Sequence, residues 1–290
     1  MEMSPAIKKF IKENIDLLEN NQFQDLFNKA DMYDRPDLVD VLIRSGISFL
    51  EYMTYIPDGM FSGSEALTSL IIPDTITAIG NWAFFRCRNL TQVKLPKSLT
   101  HLGDGAFSKC YSLERVVIDS ECPITTISPA CFYECQKLKG IDLPKSVEVI
   151  GFQAFNNCKD LKTVLINSNL NKIQEEAFAE SGIEKIDLPK SVTEIGPRAF
   201  AKCINLKHID IPELVSIPMG MLDGCTSLES VYIPGTVLGI QAYAFNKCDL
   251  LRQINWDITA KDFNNISFAR KVFPNNTSIT VVGKDFKTAI

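Results

Sequence analysis

Two histidines and nine cysteines are the residues of this 290-residue chain best suited to nucleophilic or metal chemistry. His101 falls at a strand-to-turn position, and strand alternation turns His208 outward; no recognisable motif pairs either with a nucleophile. Cys131-x-x-x-Cys135 with Cys122 is a partial metal set. Zinc takes four ligands, and neither a second pair nor a nearby histidine completes it. Gly103-Asp104-Gly105 lacks the third glycine and the long helix of a phosphate loop, so it reads as a turn. Carboxylates occur on strands, at Asp187 and Asp210, but nothing in the pattern walls them off from water to tune one as an acid. These patterns predict no catalytic residue, metal, cofactor or small-molecule substrate.

The elements that hold these residues repeat. Phe61, Phe84, Phe107, Phe132, Phe155, Phe178, Phe200, Leu222 and Phe245 recur at steps of 22 to 25 residues. Eight residues before each of these anchors stands an aliphatic residue or Met53, and five before stands Ile or Leu102. Three after stands cysteine or, at Ser64 and Ser181, serine. A Leu-x-x-Ile-x-Leu-Pro stretch completes the unit, as in Leu206-Lys207-His208-Ile209-Asp210-Ile211-Pro212, and its period of two predicts a half-buried strand. In Ala-Phe-x-x-Cys the first and last residues are four apart, which predicts a helical turn. Each unit thus reads strand, tight turn, helical turn, strand, and buries its apolar side only by stacking on its neighbours.

The pattern Leu-Pro-x-Ser-Val-x-x-Ile-Gly-x-x-Ala-Phe-x-x-Cys-x-x-Leu-x-x-Ile, seen around Leu143 to Val164, resembles the BspA-type, or Treponema pallidum-type, leucine-rich repeat. The resemblance runs over nine successive units from Met53 to Trp256. It implies an α/β repeat solenoid, a right-handed superhelix of about nine coils, used as an interaction module. Such repeats occur in surface proteins and also in intracellular and phage-encoded ones.

The ends differ from the array. Ser4-Pro5 and stripes such as Ile7, Phe10, Ile11, Ile15 and Leu18 predict a helical N-terminal cap over residues 1–52. The solenoid is expected over 53–256. Ile266, Phe268, Phe273, Ile279 and Val281 then predict a degenerate last coil within a C-terminal cap over 257–290, sealed by Lys284 to Thr288. The coil ending at Phe132 carries two extra residues around Ser120-Glu121-Cys122-Pro123, expected to bulge from a turn.

Composition narrows the partners. The net charge is −5 with both signs interspersed, which gives no footprint for nucleic acid. No run of eighteen apolar residues exists to span a membrane. Seven cysteines occupy the column after the anchor, where side chains point the same way and suit disulfides poorly. They read as small buried thiols and favour a reducing, cytoplasmic location. Met1 to Phe10 shows no secretory segment; a surface location fits only a trimmed chain.

What remains for function is the outward face of the second strand. One column reads Ile71, Lys94, Val117, Asp142, Leu165, Asp187, Asp210, Tyr232, Asn255, and the other Ser69, Gln92, Arg115, Gly140, Thr163, Lys185, His208, Ser230, Gln253. Lys94, Arg115, Asp142, Lys185, Asp187, His208, Asp210 and Tyr232 are the candidate partner-binding residues. The leading expectation is a non-enzymatic scaffold that binds a protein there. The alternative is a structural or assembly component docked through its helical N-terminus.

Overall fold

The computed structural model describes residues 40, 43, 49–269, 272–273 and 278–290. Most of the expected helical cap lies outside them. The rest is a solenoid with two files of strands and a file of turns. Ten two-residue strands make the first file: Tyr55–Ile56, Ala78–Ile79 and His101–Leu102 in one sheet; Thr126–Ile127, Val149–Ile150, Lys172–Ile173 and Glu194–Ile195 in a second; Ser216–Ile217, Gly239–Ile240 and Ser267–Phe268 in a third. Ten such strands mean about ten coils, one more than the nine regular units counted from the sequence.

The second file is Ser69–Ile71, Gln92–Leu95 and Arg115–Ile118; then Gly140–Asp142 and Thr163–Leu165; then His208–Asp210, Ser230–Ile233, Gln253–Trp256 and Thr280–Val282. These strands pair in parallel, coil to coil. The last strand, Lys287–Ala289, is antiparallel and covers the final edge.

The residues between the files form no helix, contrary to the expectation from Ala-Phe-x-x-Cys. From Phe49 onward the described residues contain one α-helical turn, Ala260–Phe263, and one 3-10 turn, Phe49–Tyr52. The repeat instead makes linked tight turns. In each of nine coils the residues two before and two after the anchor have positive φ, as at Trp82 (55°) and Arg86 (58°) or Gln153 (53°) and Asn157 (59°). Thirteen of these positions hold residues other than glycine. A left-handed residue with a Cβ costs roughly 1 kcal/mol or more. The conformation is held by backbone bonds to the next coil: Phe107 N–H donates to Cys131 C=O at 2.9 Å and Lys109 N–H to Tyr133 C=O at 2.7 Å. Alternate amides thus bond between coils, as in a sheet, while those between close turns, as in Ser108 N–H to Gly105 C=O at 2.9 Å. A helix would direct these amides along the chain and leave the coils unjoined on this side.

Inside, the anchors form one file. Neighbouring rings from Phe61 to Phe200 lie 4.8 to 5.6 Å apart, with planes within 12°. Each is fully buried. Burial stabilises by about 1.5–3 kcal/mol per ring, and offset stacking adds roughly 0.5–1.5 kcal/mol per pair. Leu222 interrupts the file and buried Met221 packs beside it. The file resumes with Phe245 on Phe273 at 5.7 Å, which makes Phe273 the anchor of the tenth coil.

The cysteine column lines the same core. All nine thiols are buried and unbridged. Cys110 donates to the Phe84 carbonyl, Cys135 to Phe107 and Cys158 to Phe132, each at 3.1 Å. A small side chain with a weak donor fits here because the anchor carbonyl of the preceding coil is within reach. Burial pushes Cys110, Cys135 and Cys158 up, and Cys248 to about 12; at Cys203 burial acts the same way, but hydrogen bonds with Cys225 and Ser181 outweigh it and hold that thiol below its ordinary value.

Candidate binding surface

In Gln92–Leu95 the burial alternates exposed, buried, exposed, buried, so Val93 and Leu95 enter the core and Gln92 and Lys94 face out. Parallel pairing then stacks like positions. Ser69 faces Gln92, which faces Arg115; Ile71 faces Lys94, which faces Val117. Asp142 faces Leu165, Asp210 faces Tyr232, and Tyr232 faces Asn255. Stacked side chains lie one strand spacing apart, about 4.8 Å.

Lys94, Arg115, Asp142, Lys185, Asp187, His208, Asp210 and Tyr232 are all exposed. They fall into four groups. Lys94 and Arg115 lie on neighbouring strands of the first sheet, and Asp142 on the short second one. His208, Asp210 and Tyr232 share the third. Lys185 and Asp187, expected on a strand, lie in a stretch with no strand pairing, although Ile186 between them is still buried. That coil is one residue short: Ile183 follows its anchor Phe178 by five positions, where Leu161 follows Phe155 by six. The other break follows the two-residue insertion after Ile118, where Ser120 and Glu121 are exposed and Cys122 returns to the core. Val117, expected to be exposed, is half-buried, whereas Ile71 and Leu165 are 74% and 62% exposed.

Polar groups pair along and across the strands. Lys185 Nζ lies 2.9 Å from Asp187 Oδ2. His208 shares a hydrogen bond with Ser230 Oγ through Nδ1 at 2.8 Å and meets Asp210 Oδ1 through Nε2 at 2.9 Å. This Ser-His-Asp trio is open to water, its carboxylate side chain 68% exposed. Solvent screens the Asp–His pair, so the trio is a surface hydrogen-bond network rather than a desolvated base and nucleophile. Burial, with Asp257, Glu213 and Asp210 nearby, raises the Tyr232 phenol above its usual value.

An ion-pair column beside this face was not expected. Lys139 meets Glu114 at 2.5 Å and Lys162 meets Glu184 at 2.9 Å, each pair spanning adjacent coils. Lys139 holds the Glu114 carboxyl below its ordinary range. The signal was in the sequence, since Glu114, Lys139, Lys162 and Glu184 hold equivalent places in successive units. Open clefts of about 640 Å³, beside Arg115 and Gly140, and about 620 Å³, beside Lys162 and Lys185, mark the two breaks in the strand file.

A stack of coils with a filled core and an exposed file of parallel strands defines a leucine-rich-repeat-like solenoid. The chain belongs to the BspA-type leucine-rich repeat family, whose model matches residues 54–181, 125–252 and 162–280. Among solved structures it is similar to a leucine-rich repeat protein from Bacteroides ovatus, at 22% identity and a TM-score of 0.52, covering 75% of this chain and 63% of that one. It also matches the T. pallidum leucine-rich repeat protein, at 25% identity and a TM-score of 0.44, covering 64% and 78%. A leucine-rich cell surface protein from Faecalibacterium prausnitzii matches at 20% identity and a TM-score of 0.43, covering 74% and 86%. No curated protein matches the sequence. Among the described residues no helix is long and apolar enough to cross a membrane.

Proposed function

We propose that this protein is a non-enzymatic scaffold that binds a protein partner on the long-strand face, through Lys94, Arg115, Asp142, Lys185, Asp187, His208, Asp210 and Tyr232. The observation that carries the reading is the stacking of outward side chains in register along the long strands. Nine such coils offer a strip on the order of 40 Å long, enough for an interface of about 800 Å² per partner. Exposed Ile71 and Leu165 supply apolar contact, and Tyr232 with the charged pairs supplies polar contact, the mixture that interface centres use.

Replacing both Asp187 and Asp210 with lysine tests it. Each carboxylate is exposed and has one local partner on its own segment, so the array should keep its melting temperature. Partner capture should fall at least about tenfold, as one desolvated charge contact can be worth 1.4 kcal/mol or more. Recovery of the same partners at the same yield would remove this patch from the interface.

The nine unbridged thiols also support a reducing compartment. Alkylating the chain in its native cell, then unfolding it, should find nine free thiols; recovery of a disulfide-linked chain from the cell exterior would contradict that placement.

A further inference from the structure

A second surface lies at the corner where the chain leaves the long strands for the short ones. The residue seven before each anchor is Thr54, Thr77, Thr100, Thr125, Glu148, Asn171 and Thr193 through the first seven coils. Then it changes to Val215, Leu238 and, before Phe273, Ile266. The threonines serve the fold: the Thr77 hydroxyl donates to the Thr54 carbonyl at 3.2 Å, and that of Thr100 to the Thr77 carbonyl at 3.0 Å. Val215 and Leu238 have no hydroxyl to donate, and they are 72% and 63% exposed. The Leu238 amide bonds to the Val215 carbonyl at 2.9 Å, which keeps the two side by side. Their exposure adds nothing to the stability of the array.

Beside them opens a cleft of about 650 Å³, lined among others by Glu213, Pro234, Leu238, Asp257, Asp262 and Ile266. It exists because the tenth coil is long. Phe273 follows Phe245 by 28 residues, and part of the extra length forms the turn Ala260–Phe263 that makes one wall. Among the described residues the three carboxylates face a single ammonium, Lys284, which meets Asp257 at 3.2 Å. Asp262 Oδ2 accepts from the Thr259 hydroxyl at 2.7 Å. Glu213 is exposed and makes no hydrogen bond or ion pair among the described residues.

We propose that this corner is a docking site for a peptide segment of a partner protein in which a lysine or arginine stands next to aliphatic side chains. The basic head enters the acidic cleft and the aliphatic neighbours lie on Leu238 and Val215. Charge complementarity selects this occupant: three carboxylates against one ammonium, in a chain of net charge −5, disfavour an acidic segment, and the aliphatic pair disfavours a purely polar one.

The test is fluorescence polarisation on the full chain with a labelled octapeptide of alternating Lys and Leu, against its Lys/Ser and Glu/Leu counterparts. The Lys/Leu peptide should bind at least about tenfold tighter than either. Leu238→Thr with Val215→Thr, which restores the residue used earlier in the column, should weaken it about tenfold at unchanged melting temperature. Glu213→Gln should weaken it about fivefold. Asp187→Lys alone, on the long-strand face in an earlier coil, should bind this peptide within about twofold of the parent, so failure of the long-strand reading leaves this one standing. Equal binding of the Lys/Ser peptide, unchanged binding by the double threonine variant, loss in the Asp187→Lys variant, or no binding of the Lys/Leu peptide by about 1 mM would each overturn the site.

Discussion

Replacing Cys110, Cys135 and Cys158 with serine should make the array less sensitive to alkali. The three thiols are fully buried, and burial raises each above its ordinary value. In the unfolded chain they titrate near pH 8.5. A group whose pKa is raised by folding contributes stability fully present below its unfolded value. That contribution is lost as pH rises from there through the folded value. Between pH 7 and pH 9, with the folded thiols still protonated, each should forfeit about 0.8 kcal/mol, or about 2.5 kcal/mol for the three. Serine fits the column, as buried Ser64 and Ser181 show, and does not titrate in this range. Urea unfolding followed by circular dichroism, at both pH values in reducing buffer, measures the difference. The parent should lose about 2.5 kcal/mol more than the triple variant. Equal losses in the two proteins would refute a protonated, buried thiol ladder.

Phe155→Ala should cost about 3–5 kcal/mol in the same unfolding assay, whereas Phe155→Leu should cost less, since Leu222 already occupies an anchor position. Gly63→Ala should cost about 1–2 kcal/mol from backbone conformation alone: its φ is +73° and a Cβ there would meet nothing within 4 Å. Gly182→Ala should cost more, because the added Cβ would collide with the Lys159 carbonyl of the preceding coil. Ellman's reagent at pH 8 should find no reactive thiol in the folded protein and nine after unfolding in urea.

The period of the aromatic anchors was enough to place the solenoid, because one buried ring per coil can only be satisfied by stacking on the next. The outward columns followed from strand alternation, and the register pairs them as the sequence orders them, from Ser69 with Gln92 to Tyr232 with Asn255. The turns depart from the helical spacing for a physical reason. Ala106 and Cys110 stand four apart and both point inward, as on a helix, yet the backbone between them reverses its handedness at Lys109, φ 61°. Lysine gives no local sign of a left-handed residue; inter-coil hydrogen bonds impose it. The tenth coil kept its anchor but lost the spacing: Phe273 follows Phe245 by 28 residues, where the other anchors step by 22 to 25. The acidic corner cleft draws Glu213, Asp257 and Ile266 from separate turns, and no single stretch of sequence displays it. The ion pair of Glu114 with Lys139 is legible only when units are aligned with one another, since both residues stand seven after their anchors in successive coils.

Photo-crosslinking in the native cell would show whether a partner docks on the long-strand face. Benzoylphenylalanine replaces Thr163, His208 or Gln253 on that face, or Lys202 on the turn side, in separate variants. One and the same partner should be trapped from the three strand positions and not from Lys202. Trapping from Lys202 alone, or of unrelated proteins from each strand position, would contradict docking on that face.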